Sequence, residues 1–258
     1  MCIRDRHTPP FCWLESGVRL CRSDAMRFVA VSAATARLWS HVAKVADVIP
    51  NGIDLVHFPY QAVPHPDRYL VWYGRIVPEK GLHAAIDAAR LAGLPLRIAG
   101  PMSDADYYAR EIAPRLGADA VHVGHLDHSA LARLVGGAIA ALCTPCWEEP
   151  YGLVVAEALA CGTPVAAYAR GGIPEILTDS CGVLARPDDV AALAHAAIQA
   201  IALPRAAARR RAEQICDADR MVDAYAALYR MMAETVRISD RPSRHRATVD
   251  QVELRGAA

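Results

Sequence analysis

Residues 143–174 read CTPCWEEPYGLVVAEALACGTPVAAYARGGIP, and the order of residue types in that stretch decides the fold. An apolar run from Ala138 to Leu142 leads into it and ends in a loop carrying two acids, Glu148 and Glu149. Pro150, Tyr151 and Gly152 close the loop, and the apolar residues that follow predict a short helix over roughly Leu153 to Ala160. Gly162 ends that helix, Pro164 starts a strand from Val165 to Tyr168, and Gly171-Gly172 makes another turn. The unit is strand, loop, helix, strand.

Two features of the stretch point to a ligand. The amides around Gly152, Leu153 and Val154 fall in the first helical turn, where they have no intrahelical acceptor, and the helix dipole favours an anion there. Gly152 lets a bulky group approach that backbone. Glu157 interrupts the apolar run one turn later, and helix side chains lean toward the N-terminus, so its carboxylate aims at the anion site. It would repel phosphate and suits a hydroxyl donor beside it. Glu149, on the loop, can face the same cavity. A phosphate cradle flanked by two acids fits a ligand with phosphate in the middle and polyols at both ends, which is the layout of a nucleotide sugar. A buried helix whose acid is satisfied by a neighbouring group accounts for the same residues, since an unpaired buried carboxylate is costly and needs some partner.

Working outward, strands and helices alternate at short spacing. Strand Tyr69 to Tyr73 leads through loop Gly74 to Gly81 into a helix from Leu82 to Ala92. Strand Leu96 to Ala99 ends at Gly100. Ser103 is expected to cap the next helix, with Asp106 in a capping-box position and Gly117 as its stop. Strand Ala120 to Val123 ends at Gly124, and a helix near Ser129 to Val135 leads to the Ala138 strand. After the central stretch come a strand, Gly182 to Leu184, and a helix, Asp188 to Ala202. Two further helices are expected near Ala206 to Cys216 and Arg220 to Val236. This alternation predicts an α/β fold, a doubly wound parallel sheet with helices on both faces. Its polar loops would lie at the carboxyl ends of the strands, where such sheets bind ligands.

The first part of the chain is different. Met1 to Arg6, MCIRDR, is unlike the rest, reads as an artefact, and is set aside. His7-Thr8-Pro9-Pro10 reads as a loop, Leu14 to Ala25 as a helix, Phe28 to Val31 as a strand, Ser32 as the cap of a helix over Ala33 to Val42, and Val45 to Pro50 as a strand. These residues, 7–58, are too few for a sheet domain with its own core and are expected to be the remnant of a second Rossmann-like domain. Residues 59–67, with three prolines, read as a linker to a domain over 68–203. Helices over 204–238 and a polar, disordered tail over 239–258 complete the expected organisation.

Lys plus Arg and Asp plus Glu number 28 each among 258 residues, so no net field draws nucleic acid or an anionic membrane. A hydrophobic share of 53% supports a sizeable core. There is no secretory signal and no apolar run of spanning length. Eight scattered cysteines, several inside apolar runs, fit core fillers in a reduced, cytoplasmic setting. Cys143-Thr-Pro-Cys146 has CxxC spacing with no second pair nearby, which disfavours zinc. Asp104-Ala-Asp106 and Asp217-Ala-Asp219 fit helix starts better than cation sites, so no metal or cofactor is expected. Neither GxGxxG nor GxxxxGK[ST] occurs. Arg75 and Lys80 flank the loop Gly74 to Gly81, and a guanidinium fork and a point charge five positions apart can clamp a diphosphate; two solvated surface cations are the alternative.

Glu149 and Glu157, followed by Ala-Cys-Gly-Thr-Pro-Val and Gly-Gly-Ile-Pro-Glu, resemble the donor-binding half of a retaining glycosyltransferase of GT-B fold, more narrowly of the family 4 group. The resemblance extends through Gly74-Arg75 to Lys80-Gly81, Gly100, Gly124 and Ile49 to Asp54, covering roughly residues 26 to 235. It implies transfer of a hexose from a nucleoside diphosphate sugar, with UDP-glucose the commonest donor, to an unknown acceptor, keeping the anomeric configuration and without a metal. It also implies roles. Arg75 and Lys80 would hold the diphosphate, Glu149 the sugar hydroxyls and Glu157 the ribose. The backbone from Tyr151 and Gly152 through Leu153 and Val154 would meet the phosphates. The loops at Gly74, Gly100 and Gly124 would border the nucleoside, and His7 would lie beside the transferred sugar. Complete members carry a whole amino-terminal sheet domain, so the chain is expected to be a fragment. The competing readings are a non-catalytic nucleotide-sugar-binding module, a nucleotide-sugar epimerase, and a membrane-surface protein using the basic run Arg205 and Arg209 to Arg211, for which a solvated helix face is the plainer account.

Overall fold

The structure, a computed structural model, describes Cys2–Arg4, Cys12–Cys21 and residues 26–239. His7 and the tail after Ser239 lie outside the described residues. The chain divides into two compact units, Met1–Val222 and Asp223–Ala258.

In the first unit, six strands form one parallel sheet. They are β4 (Leu70–Tyr73), β5 (Leu96–Ala99), β6 (Ala120–His122), β7 (Ala140–Cys143), β8 (Val165–Tyr168) and β9 (Gly182–Ala185), in the order β6-β5-β4-β7-β8-β9. The helices between them cover both faces. Side chains alternate across a strand, so β4 feeds two cores. Leu70 and Trp72 pack with α3 (Leu82–Leu91) and α8 (Val190–Ile201), through Leu82, Ile86 and Leu193. Val71 and Tyr73 pack with α5 (His128–Gly137), α6 (Leu153–Ala160), α7 (Ile173–Ile176) and α9 (Arg205–Ile215), through Val135, Leu159, Ile176 and Ala208. Every residue of β4, β7 and β8 is buried, as expected of strands covered on both faces.

Several expected boundaries move for identifiable reasons. β7 starts two residues later than expected because Ala138 caps α5, with its amide bonded to Val135 O at 3.1 Å. Asp104, not Ser103, caps the segment after β5: its carboxylate accepts from the Tyr107 amide at 2.8 Å. That segment is α4 (Ala105–Tyr107), a π turn over Tyr108–Ile112 and a 3-10 turn over Ala113–Arg115. Pro114 has no amide hydrogen with which to continue an α-helix.

The preceding residues make a separate parallel sheet, β1 (Cys2–Arg4), β2 (Arg27–Ala30) and β3 (Val45–Val48), with α1 (Cys12–Cys21) and α2 (Ala33–Trp39). Cys2–Arg4, set aside on sequence grounds, pairs with Arg27–Val29, whose open edge offers unpaired backbone groups. Ser32 caps α2 as expected, accepting from the Thr35 amide at 3.0 Å. Val18, Trp39, Val42 and Ala43 form a small core of their own.

Three of the four arginines of the basic run on α9 turn to backbone carbonyl oxygens. Arg205 donates to the carbonyl oxygens of Gln61 (2.7 Å), Ala138 (2.8 Å) and Gly136 (2.5 Å). Arg209 donates to Phe58 O at 3.0 Å and Ala160 O at 2.9 Å, and Arg211 to Ile176 O at 2.7 Å. The three guanidiniums strap the segment that opens with Pro59, and the ends of α5, α6 and α7, to the domain; only Arg210 of the run is exposed. Helix α10 (Ala218–Ser239) supplies the described part of the second unit, where the rings of Tyr225 and Tyr229 lie 6.2 Å apart. Among the described residues no single helix is long and apolar enough to cross a membrane.

Candidate functional site

The strand order reverses between β4 and β7: the chain runs outward from β4 through β5 to β6, then returns to β7 on the other side of β4. The loops leaving the carboxyl ends of these two strands therefore diverge and leave a crevice, the usual ligand position of open α/β sheets. Gly74 to Lys80 forms one wall and Cys143 to Gly152 the other. A pocket there is lined by Tyr73, Gly74, Lys80, Thr144, Glu149 and Val154 among others.

The glycine row is brought together. The Gly74 amide donates to Ala99 O at 3.0 Å and the Gly100 amide to Gly124 O at 2.9 Å, so three glycines end three neighbouring strands. Gly100 has φ +144°, and a Cβ there would overlap the carbonyl oxygen of Gly74. No larger residue fits without moving the strand end.

Lys80 closes a 3-10 turn, Pro78–Lys80, and Gly81 exits it in the left-handed region at φ +65°. The turn is pinned to the opposite wall: Thr144 Oγ1 donates to Lys80 O at 3.0 Å, and Trp72 Nε1 to Thr144 Oγ1 at 3.1 Å. From this position Lys80 Nζ reaches Glu149 Oε2 at 2.6 Å, with both side chains largely buried. Trp147 Nε1 donates to the same oxygen at 3.0 Å. Arg75, by contrast, is exposed and makes no ion pair or hydrogen bond among the described residues.

Gly152, at φ +103°, starts α6 with no side-chain cap. Among the described residues the amides of Gly152, Leu153 and Val154 meet no acceptor. Glu157 follows one turn on. Burial pushes its carboxyl up to about 7, an effect partly offset by the Tyr73 hydroxyl. That hydroxyl donates to Val154 O at 2.5 Å, which ties β4 to the first turn of α6. The Tyr151 side chain turns away from the crevice wall. It is buried in the core, its hydroxyl 3.5 Å from Cys216 Sγ, because α9 packs over α6 and encloses it.

The acidic loop is held from two sides that sequence reasoning did not foresee. Gly172 N donates to Glu149 O at 2.8 Å, and Gly171 N to Glu148 Oε2 at 2.8 Å. From the three-stranded segment, Ser32 Oγ and Thr35 Oγ1 both donate to Pro150 O, at 2.6 and 3.1 Å. Glu175 returns the contact: its carboxylate accepts from the amides of Ala33 and Ala34 at 2.8 and 2.7 Å, at the N-terminus of α2. The sequence signal for these contacts was a capping serine and an acid three residues after a Gly-Gly turn, but nothing in it paired the two. Arg170 also anchors this edge, bonding to Asp188. Among the described residues no cluster of His, Cys, Asp and Glu could hold a metal. The crevice offers the Lys80 ammonium and the Glu149 carboxylate, with the first turn of α6 reaching its wall at Val154, a set that suits a ligand with phosphates and hydroxyls.

Residues 57–215 match the family described as glycosyl transferases group 1. The chain is 40% identical over 175 residues to a glycogen synthase of Mycobacterium tuberculosis, covering 64% of this chain and 42% of that protein. It is 32% identical over 149 residues to a D-inositol 3-phosphate glycosyltransferase of Mycobacterium bovis, covering 52% and 31%. The chain thus spans less than half the length of the curated relatives it matches. Among solved structures it resembles a sucrose-phosphate synthase from Thermosynechococcus elongatus, with TM-score 0.71, 26% identity and coverage of 86% of this chain and 61% of the other. A glycosyltransferase involved in avilamycin A biosynthesis gives TM-score 0.69, 27% identity and coverage of 80% and 64%. The six-stranded parallel sheet is the Rossmann-like sheet of these GT-B neighbours. With more than half of its residues matched, the chain belongs to the glycosyl transferases group 1 family.

Proposed function

We propose that this chain carries the donor-binding half of a retaining hexosyltransferase of the family 4 group, which moves a hexose from a nucleoside diphosphate sugar to an acceptor hydroxyl. The observation that carries this reading is the meeting of Lys80 and Glu149 in one crevice at the switch point of the sheet, with Val154 of the first turn of α6 in its wall. Lys80, joined by the free guanidinium of Arg75, holds the diphosphate and neutralises the charge that grows as it leaves. The α6 amides bind its oxygens. Glu149 takes sugar hydroxyls and Glu157 the ribose hydroxyls, while the backbone of the Gly74, Gly100 and Gly124 row lets the nucleoside lie close. His7 is assigned a place beside the transferred sugar. In the reaction the bond between the anomeric carbon and the diphosphate oxygen breaks, the acceptor oxygen bonds to that carbon on the same face, and the hydroxyl proton passes to the departing phosphate.

UDP-glucose is the donor to test first. Calorimetry on the 258-residue chain is expected to give saturable binding of UDP and UDP-glucose, weakened by Glu157→Gln and by Lys80→Ala, the latter acting on the diphosphate more than on uridine. Unchanged UDP affinity in both variants would remove the assignment. Incubation with labelled UDP-glucose and glucan or inositol phosphate acceptors, with the product anomer read by NMR, tests transfer and retention. Affinity without turnover would give this chain the binding role alone.

A further inference from the structure

We propose that Trp147 is a positioning residue of the donor site, holding the Glu149 carboxylate in place when a diphosphate draws Lys80 away from it. The inference rests on the donor reading above. Three groups close a triangle. Lys80 Nζ lies 2.6 Å from Glu149 Oε2, Trp147 Nε1 donates to that oxygen at 3.0 Å, and Lys80 Nζ stands 5.5 Å from the centre of the Trp147 ring. The ammonium is thus held by a carboxylate and by an aromatic face, and the carboxylate by an ammonium and an indole N–H.

A diphosphate competes for the ammonium, because it offers more negative charge than one carboxylate. Once Lys80 turns to it, Glu149 keeps one of its two donors. Its side chain is only 14% exposed, so solvent replaces the lost partner poorly. The indole N–H is what remains. It fixes Oε2, and Oε1, which accepts no hydrogen bond from any described residue, is left for a ligand hydroxyl. Trp147 is half-buried and is not part of the pocket wall, so it acts through Glu149 and not by touching the ligand. It follows that a nucleoside diphosphate alone separates the ion pair without giving Glu149 a new partner. A nucleoside diphosphate sugar separates it and supplies one. Without the indole N–H, the diphosphate alone leaves the carboxylate no donor and the sugar nucleotide leaves it one, so the contribution of Trp147 should appear in the affinity ratio of the two ligands, with the diphosphate alone the more weakened.

The test is calorimetry with UDP and UDP-glucose on the wild-type chain, Trp147→Phe, Glu149→Gln and the double variant. Phenylalanine keeps a ring face for Lys80 and removes the N–H. UDP affinity should fall about tenfold, the usual scale for a hydrogen bond to a charged group. UDP-glucose affinity should fall by no more than about threefold, because a sugar hydroxyl takes the place of the lost donor. On the Glu149→Gln background, Trp147→Phe should add no more than about twofold, because its effect passes through the carboxylate. Equal weakening of both ligands by Trp147→Phe, or a full effect on the Glu149→Gln background, would assign Trp147 a packing role and overturn the inference. Trp147→His, which keeps a ring N–H, should restore the ratio; a loss as large as that of Trp147→Phe also overturns it. A wild-type chain that binds neither ligand sinks the donor reading and this inference together, whereas normal binding with an unchanged ratio in Trp147→Phe sinks this inference alone.

Discussion

Ser32 Oγ donates to the carbonyl oxygen of Pro150 across 2.6 Å, joining residues 118 positions apart. The bond runs from the cap of α2 in the three-stranded segment to the loop that carries Glu149. Thr35 Oγ1 reaches the same oxygen at 3.1 Å, and all three groups are buried. The double variant Ser32→Ala/Thr35→Val leaves the Pro150 carbonyl without a donor in a place closed to water. It also removes the α2 cap, since Ser32 accepts from the Thr35 amide. Together these losses should destabilise by about 2–4 kcal/mol, seen as a lower midpoint in urea unfolding. UDP affinity should also fall, because the loop between Pro145 and Gly152 loses one of its two supports. Unfolding that is unchanged within error would mean the segment is not held to the donor loop in solution.

Glu157 predicts a pH dependence of stability. Burial raises its carboxyl from an ordinary value of 4.5 to about 7, so the folded chain holds this proton over a range where the unfolded chain has released it. Stability from this group is therefore fully present below pH 4.5, declines as pH rises toward 7, and is flat above. The total change is on the order of 3 kcal/mol, from the size of the shift. Glu157→Gln keeps the shape and abolishes the titration. Chemical denaturation at pH 5, 6, 7 and 8 should show a decline in the wild type that the variant lacks, with the variant the more stable at pH 8. Parallel curves for the two would show that Glu157 titrates normally.

The sequence carried the sheet and most of the crevice because both rest on local signals. The run LVWY at Leu70, the apolar repeat of α6 and the glycines after β4, β5 and β6 each mark their own element, and the alternation of strand and helix leaves little choice of topology. The unbonded amides at the start of α6 followed from helix geometry within a few residues. What stayed hidden depends on partners distant in sequence. Pro150 O meets Ser32 and Thr35, Glu175 meets the N-terminus of α2, and Arg205 meets three carbonyl groups between Gln61 and Ala138. The burial of the Tyr151 side chain stayed hidden for the same reason: its neighbour Cys216 lies 65 positions away. Trp147 was overlooked because a tryptophan beside two acids has no local signature until Lys80 is seen above its ring.

Arg205 offers a direct test of the basic helix. Its guanidinium is half-buried and donates to three carbonyl oxygens, one at Gln61 and two at the end of α5. Arg205→Ala leaves those oxygens short of donors and should destabilise by about 3 kcal/mol, whereas exposed Arg210→Ala should change stability by less than about 0.5 kcal/mol. Thermal unfolding of the two variants separates the readings. Equal small effects would return the run to a solvated face, and pelleting with anionic liposomes that is lost in Arg210→Ala would revive the membrane reading.

Tyr168 presents the opposite case, a group the fold would do better without. Its side chain is fully buried in β8, and its hydroxyl has no hydrogen-bond partner among the described residues. Burial also pushes its ionisation up to about 12, so the hydroxyl stays protonated through the neutral range. An unsatisfied buried hydroxyl costs about 1–3 kcal/mol, while the ring contributes packing that phenylalanine reproduces atom for atom. Tyr168→Phe should therefore raise the unfolding midpoint by about 1 kcal/mol in equivalent stability, with no change in UDP binding, since β8 meets the site only through the loop beyond Arg170. A destabilised Tyr168→Phe would mean that the hydroxyl has a partner after all, and a buried water bonded to it is what a crystal structure should then reveal.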